Sequence, residues 1–142
     1  MKEYSVYHLV KSEDLNHHGT LFAGRTAEWF VEASFVAAAC AVGNPEYIVC
    51  VNIHGLEFKS PIHKGDVIHI KSKVVYVGKT SLIIHARIHS ESDINVYPID
   101  GFMTFVSVDL EGKKRPHGLT LDEPLDADEV AIREKAKNLL KK

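Results

Sequence analysis

The stretch Gly24 to Gly43, GRTAEWFVEASFVAAACAVG, decides the fold. From Trp29 to Val42 every position is apolar or small except Glu32, and the alanine content favours helix over strand. Gly43 suits a helix cap, and Asn44 and Pro45 prevent continuation. A helix that is apolar nearly all round is expected to be buried on most of its circumference. That places Glu32 where an ionised side chain is costly, so it must keep its proton or find a partner, and it becomes a candidate for proton chemistry. Arg25 and Glu28 lie seven and four residues upstream and share its face. The competing reading of the same pattern is an amphipathic stripe, with Arg25 and Glu28 paired near the surface and Glu32 at its edge.

Upstream of the helix, Glu3 to Val10 (EYSVYHLV) reads as a strand. SEDLNHHGTLFAG then forms a polar loop, with Thr20 or the backbone around Phe22 as the helix cap. Downstream the period changes to two. Tyr47 to Phe58 is a long strand with a bend at Gly55, SPIHKGD is a turn, and Val67 to Val77 and Thr80 to His89 are strands separated at Gly78 and Lys79. In the second of these, Leu82, Ile84, Ala86 and Ile88 form an apolar face, while Ile83, His85, Arg87 and His89 form a mostly polar and wetter one. SESDINVYPID is an irregular connection, and Gly101 to Leu110 is the last strand. From Asp126 onward, DADEVAIREKAKNLLKK is helical, with Asp126 and Glu129 spaced as a capping box and Ile132, Ala136, Leu139 and Leu140 on one apolar face.

This order implies an α+β protein: an antiparallel sheet wrapped around one long central helix, with a surface helix at the C-terminus, all in a single domain over residues 1–142. Such a sheet leaves edges and apolar surface uncovered, for which dimerisation by edge pairing is the remedy. Seventeen Lys and Arg against nineteen Asp and Glu give a formal net charge of −2, which argues against a nucleic-acid or membrane partner. The N-terminal apolar run is too short for a signal peptide and no uncharged run reaches transmembrane length, so a soluble, cytoplasmic protein is expected. Cys40 and Cys50 form no CxxC pair and read as small core residues. The nine histidines contain no HExxH, and the adjacent side chains of His17 and His18 need not converge, so no metal site is expected.

Several motifs carry a closer resemblance. DLNHHGTLFAG, at Asp14 to Gly24, resembles the D-x-N-x-x-G-x-x-F-G-G segment of the single-hotdog-domain acyl-CoA thioester hydrolases through Asp14, Asn16, Gly19, Phe22 and Gly24, with Ala23 in place of the first glycine of the pair. Phe58, Pro61, Gly65 and Asp66 match the F-x-x-P-V-x-x-G-D turn, and Gly78 to Ser81 the G-[KR]-T-S signature. FMTFVSVDLEGKKRP resembles the last strand and the basic stretch after it. The similarity implies a hotdog fold and an acyl-CoA thioesterase that hydrolyses acyl-CoA to free acid and coenzyme A. It implies no cofactor beyond the coenzyme A of the substrate, and homodimers that assemble into a homohexamer, a trimer of dimers.

The resemblance also implies a site. A backbone N–H at Gly24 and the start of the helix hold the developing oxyanion. An acid two turns into the helix, usually from the partner subunit's helix, acts as base or nucleophile. In the family that acid stands seven residues after the glycine, where this chain has Val31; Glu32 follows one position later, about 100° round the helix. Glu32 is taken as the base, and Asn16 from the opposite subunit orients or polarises. Lys79, Thr80 and Ser81 are expected to contact coenzyme A, Lys113 and Arg115 its phosphates, with His54 lining the site. Two other classes stay open: a hotdog hydratase or dehydratase using His17 or His18, and a non-catalytic acyl-CoA or small-ligand binder.

Overall fold

The computed structural model describes residues 1–93 and 97–140. Five strands, β1 (Glu3–Leu9), β2 (Ile48–Phe58), β3 (Val67–Val77), β4 (Ser81–Ser90) and β5 (Ile99–Ser107), form one antiparallel sheet in the order β1-β3-β4-β5-β2. Helix α1 (Ala23–Val42) follows β1, and α2 (Ala127–Leu139) ends the described chain. Gly43 closes α1 in the left-handed region, at φ 99°, and donates its N–H to the Ala39 carbonyl at 2.8 Å. The expected bend in β2 falls at Gly55, where the register with β5 shifts between His54 and Glu57. Of the irregular connection expected before β5, residues 94–96 lie outside the described residues, and β5 starts at Ile99, two residues earlier than the pattern placed it.

Helix α1 packs on one face of the sheet. Its buried positions, Thr26, Trp29, Phe30, Ala33, Ser34, Ala37 and Ala38, recur at helical spacing. They meet the apolar face read from β4, since Leu82, Ile84, Ala86 and Ile88 are fully buried in the same core as Ile68, Ile70, Met103 and Phe105. The opposite stripe, Gly24, Glu28, Glu32, Val36 and Cys40, is exposed at every four-residue step. The expectation that α1 is buried on most of its circumference, and Glu32 with it, is therefore corrected: one sheet covers one side of a helix, and Glu32 stands on the other. Cys40 and Cys50 are likewise exposed rather than core residues. They lie on the open stripe of α1 and on the edge strand β2.

The outer face of the sheet is drier than its polar pattern predicted. Ile83, His85 and His89 are buried. Helix α2 packs a second, smaller core of Val75, Ile83, Phe102 and Ala136 there, with Tyr76 and Ile132. Leu139 and Leu140, expected on its buried face, are exposed. Asp126 caps α2 by accepting from the Glu129 N–H at 2.9 Å. The Glu129 side chain does not reach back to complete the box; it is buried and bonds Lys73 of β3 and, at 2.6 Å, Arg133. Arg87 of β4 grips Asp128 through two hydrogen bonds of 2.7 and 3.1 Å. Burial works to raise the Glu129 carboxyl, but the hydrogen bonds and charges of Lys73 and Arg133 outweigh it and hold the group below the usual carboxylate range. The hydrogen bond from Arg87 holds Asp128 low in the same way, with burial opposing it.

Lowered carboxyls contribute stability above their unfolded values and lose it as pH falls through their folded ones. Acid below about pH 4 should therefore loosen α2 from the sheet. Lys73→Met should cost about 1–3 kcal/mol at neutral pH by leaving Glu129 short of a partner, and should flatten the acid limb of stability against pH. Urea denaturation across pH 3 to 7 checks both; equal curves for wild type and variant would show that the pair does not hold α2.

Candidate active site at the start of helix α1

The loop before α1 is fixed by its own side chains. Buried Asp14 accepts from the Lys11 N–H at 2.9 Å and pairs with Arg25 Nε at 3.3 Å, tying loop to helix, while its carbonyl accepts from the Phe22 N–H. Asn16 Oδ1 accepts from the His18 and Thr20 amides at 2.9 and 3.2 Å, and Asn16 Nδ2 donates to Thr20 Oγ1 at 3.0 Å. The Asn16 amide thus builds the turn that presents it. Thr20 is engaged there, and the N-cap of α1 is Phe22, which makes no side-chain cap hydrogen bond. Among the described residues no side chain caps the first-turn amides at Ala23, Gly24 and Arg25, and this is the end of the helix that favours negative charge. A Cβ on Gly24 would lie 2.5 Å from Phe22 Cε2, so glycine lets that ring fold over the helix start.

Two depressions flank this turn. One, a cleft of about 340 Å³, has Asn16, Thr20, Ala23 and Thr26 on one wall and the Phe58 to Ile62 segment on the other. The second is an open, largely apolar groove of about 510 Å³ along α1, lined by Gly24, Ala27, Val31, Glu32, Phe35 and their neighbours. Val31 and Glu32 both border it, so the one-residue offset of the acid leaves Glu32 on the same surface as Gly24. Glu28, also on this groove, pairs with Arg25 at 3.7 Å. Asn16 and Glu32 of one chain open onto different depressions.

The residues expected to meet coenzyme A lie at the far end of the sheet. Gly78 to Ser81 form the β3–β4 turn, where the Gly78 N–H bonds the Ser81 carbonyl at 2.8 Å and the Thr80 carbonyl accepts from Ser107. Ile88, which pairs with Ile99 beside the Asn16 cleft, lies seven residue steps along β4 from Ser81, a span of about 24 Å. The basic stretch runs beside that turn: the His117 N–H bonds the Lys79 carbonyl, and the His117 ring bonds the Ser81 carbonyl at 2.8 Å. Arg115 lies over the Tyr47 ring at 4.3 Å, and exposed Lys113 pairs with Glu111 at 3.7 Å. Lys79, Thr80, Ser81, Lys113 and Arg115 thus share one end, and Asn16 and Gly24 the other. His54 joins neither group. It bonds Thr104 at 2.8 Å and lines a cleft with Phe102 and Leu139 on the α2 side of the sheet. His17 and His18 are exposed, with rings 3.9 Å apart.

Asp14 belongs to the motif around Asn16, but nothing in the local sequence ties it to Arg25: a buried acid paired with the next helix is a tertiary fact.

The family model of the thioesterase superfamily matches residues 18–97, which include α1 and its start. The chain belongs to the thioesterase superfamily. A protein of Bacillus subtilis (strain 168), the uncharacterized acyl-CoA thioester hydrolase YkhA, is 26% identical over 106 residues, which cover 72% of this chain. The chain spans 60% of the length of that relative. Among solved structures, an acyl-CoA hydrolase from Staphylococcus aureus, in complex with butyryl coenzyme A and coenzyme A, aligns with a TM-score of 0.84 at 25% identity, over 96% of this chain and 80% of that one. An apo-hexameric acyl-CoA thioesterase aligns with a TM-score of 0.81 at 27% identity, over 95% and 86%. The fold of this superfamily member is the hotdog fold, its sheet wrapped on α1.

Asn16→Ala should lower stability by about 1–2 kcal/mol, since two loop amides lose their acceptor, and Asn16→Asp, which keeps the acceptor oxygens, should lower it less. Chemical denaturation measures the difference; equal losses would mean that the Asn16 carbonyl oxygen does not hold the turn.

Proposed function

We propose that this chain is a cytoplasmic acyl-CoA thioesterase whose site is completed by a second copy of itself. The observation that carries this reading is the open groove on α1, where a carboxylate, the uncapped helix start and an apolar wall share one surface. Glu32 lies eight residues beyond Gly24, about 12 Å along the helix axis. Amides and carboxylate of one helix are too far apart to flank one carbonyl, so they act from different subunits. One subunit supplies the Gly24 N–H, with Asn16 beside it, and the partner subunit supplies Glu32.

The edge strand supports the assembly. β2 exposes Val49, Val51, Ile53 and Phe58 in addition to its unpaired backbone edge. Covering half-exposed residues of this kind yields on the order of 1 kcal/mol each. Pairing β2 with β2 across a two-fold axis buries them and sets two α1 grooves against each other. The hexameric relative suggests three such dimers.

The substrate class is supported by the relatives' names and ligands and by the site chemistry. Glu32 takes a proton from water, whose oxygen attacks the thioester carbonyl carbon. The oxyanion rests on the α1 amides, the C–S bond breaks, and coenzyme A leaves as a thiolate that is then protonated. Direct attack by Glu32, giving an anhydride that water opens, uses the same atoms. The turn at Lys79 to Ser81 and the basic Lys113 and Arg115 suit the phosphates of coenzyme A by charge and hydroxyl donors. No cofactor beyond that carrier enters the scheme.

Release of coenzyme A from acetyl- to palmitoyl-CoA should be catalysed by wild type, and Glu32→Gln should lose at least about a hundredfold in kcat with its oligomer intact. Val51→Asp with Ile53→Asp should yield an inactive monomer by sedimentation. Binding without turnover across the panel would identify a non-catalytic acyl-CoA binder, full activity in Glu32→Gln would move the base elsewhere, and hydration of crotonyl-CoA would favour the hydratase class.

A further inference from the structure

On the outer face of the sheet, away from α1, His69 of β3 and His89 of β4 are direct cross-strand partners. Glu91 lies two residues past His89, where its N–H bonds the Val67 carbonyl at 2.8 Å and keeps the chain against β3. The turn that begins there brings the three side chains together. Both imidazoles are buried, at 7% and 2% exposure, and the carboxylate is open to solvent. Glu91 Oε1 stands 3.4 Å from His69 Nδ1 and 3.5 Å from His89 Nε2, and one ligand atom of each of the three residues lies within 4.8 Å of the others.

These separations are longer than good hydrogen bonds. The two carboxylate-to-imidazole separations match the edge of a tetrahedron around an ion bound at about 2.0–2.1 Å, which is about 3.4 Å, and the two imidazole ligand atoms lie no more than 4.8 Å apart. The rings are held in place: Tyr7 stacks on His69 at 4.2 Å, the two imidazoles meet edge to face at 4.9 Å, and Tyr97 meets His89 edge-on at 5.4 Å. His69 Nε2 and His89 Nδ1, the ring nitrogens other than the two beside Glu91, are buried with no hydrogen-bond partner among the described residues.

We propose that His69, His89 and Glu91 bind a divalent transition metal of the zinc class, with the fourth position open to water on the Glu91 side. Two imidazoles and one carboxylate are borderline donors that suit zinc, cobalt or nickel rather than calcium or magnesium. Burial lowers both imidazoles from their ordinary value, the direction that favours ligation. For His69 burial is the largest cause, followed by His89 and Lys71, with Glu91 and Glu3 opposing; for His89 it is burial and then Lys71, with Glu91 opposing. The charges around the cluster are Glu3 on β1, Lys71 on β3 and Arg87 on β4, whose guanidinium lies 4.8 Å from the Tyr97 ring, together with Glu91 itself. The two cations offset the two carboxylates, so the ligands alone must supply the affinity. The ion would clip β3, β4 and the chain leaving β4 together. It lies on the opposite face of the sheet from the Glu32 groove and takes no part in the thioester chemistry.

The test uses the full chain after chelator treatment, titrated with cobalt(II) followed by visible absorption, and with zinc followed by thermal melting. One cobalt per chain with the intense bands of a four-coordinate N/O site is expected, with a rise in melting temperature on adding zinc. Both should weaken as pH falls and the imidazoles take up protons. Glu91→Gln, at an exposed position that should not disturb folding, should weaken binding by at least about tenfold, and His69→Gln should abolish it. Absence of a stoichiometric cobalt spectrum overturns the proposal. So does binding that Glu91→Gln leaves unchanged, which would place the metal on other histidines.

Discussion

Helix α1 is apolar on more than one side, and a single five-stranded sheet can cover only one of them. The rest of the molecule is arranged around that constraint. Phe30, Ala33, Ala37 and Ala38 are fully buried against the sheet, and the small alanines let the helix lie close to the strands. The residues at four-step spacing from Gly24 to Cys40 are left facing outward. That open stripe carries valine, cysteine and two glutamates, too polar for a core and, with Val31 and Phe35 beside it, too greasy for a purely solvated face. On the proposed reading, what the sheet cannot cover is covered by a second copy, and the surface left over from folding becomes the catalytic surface.

The same logic appears on the other face of the sheet. Strand alternation places His69, Lys71, Lys73, His85, Arg87 and His89 outward, a row that one helix cannot bury with apolar groups alone. Helix α2 settles over one part with a small core and meets the charges with charges of its own, Asp128 on Arg87 and Glu129 on Lys73. His85, buried beside Phe102, bonds Asp100, whose carboxyl burial would raise; His85, Arg87 and Lys59 together hold it low instead. The row continues beyond α2 as two buried imidazoles facing one carboxylate, with no helix to answer them.

Much of this was legible in the sequence because it depends on local period. The run from Trp29 to Val42 and the caps at Gly43 and Asp126 are local facts, and the strand bounds of Val67–Val77 come straight from alternation. The errors share one cause: periodicity names faces but not what covers them. Apolar neighbours imply burial of Cys40, Cys50 and, in one of its two readings, Glu32, yet among the described residues no element covers them. The polar alternation implies a wetter face at Ile83, His85 and His89, but α2 packs over Ile83, Phe102 packs beside His85, and His69 and Tyr97 pack on His89. His54 sits in the long strand as expected, but a bulge and a cross-strand bond to Thr104 turn it towards α2, which only pairing reveals. The turn that presents Asn16 was readable as Asx chemistry; the Asp14 to Arg25 link that holds it was not.

The offset between Val31 and Glu32 looks large on a helical wheel and small on the surface. A rotation of about 100° separates them, but the groove along α1 is wide enough that both line it, with Gly24 at one end and Phe35 and Val36 at the other. What changes between the two positions is depth. Val31 is half-buried and packs against the core, so a carboxylate there would be drawn partly under the sheet; Glu32 stands outside, in contact with water in the single chain. An acid at the outer position takes its surroundings from whatever closes the groove. On the proposed reading a second subunit closes it, the environment of the proposed base, Glu32, is set by assembly rather than by folding, and no buried acid is needed.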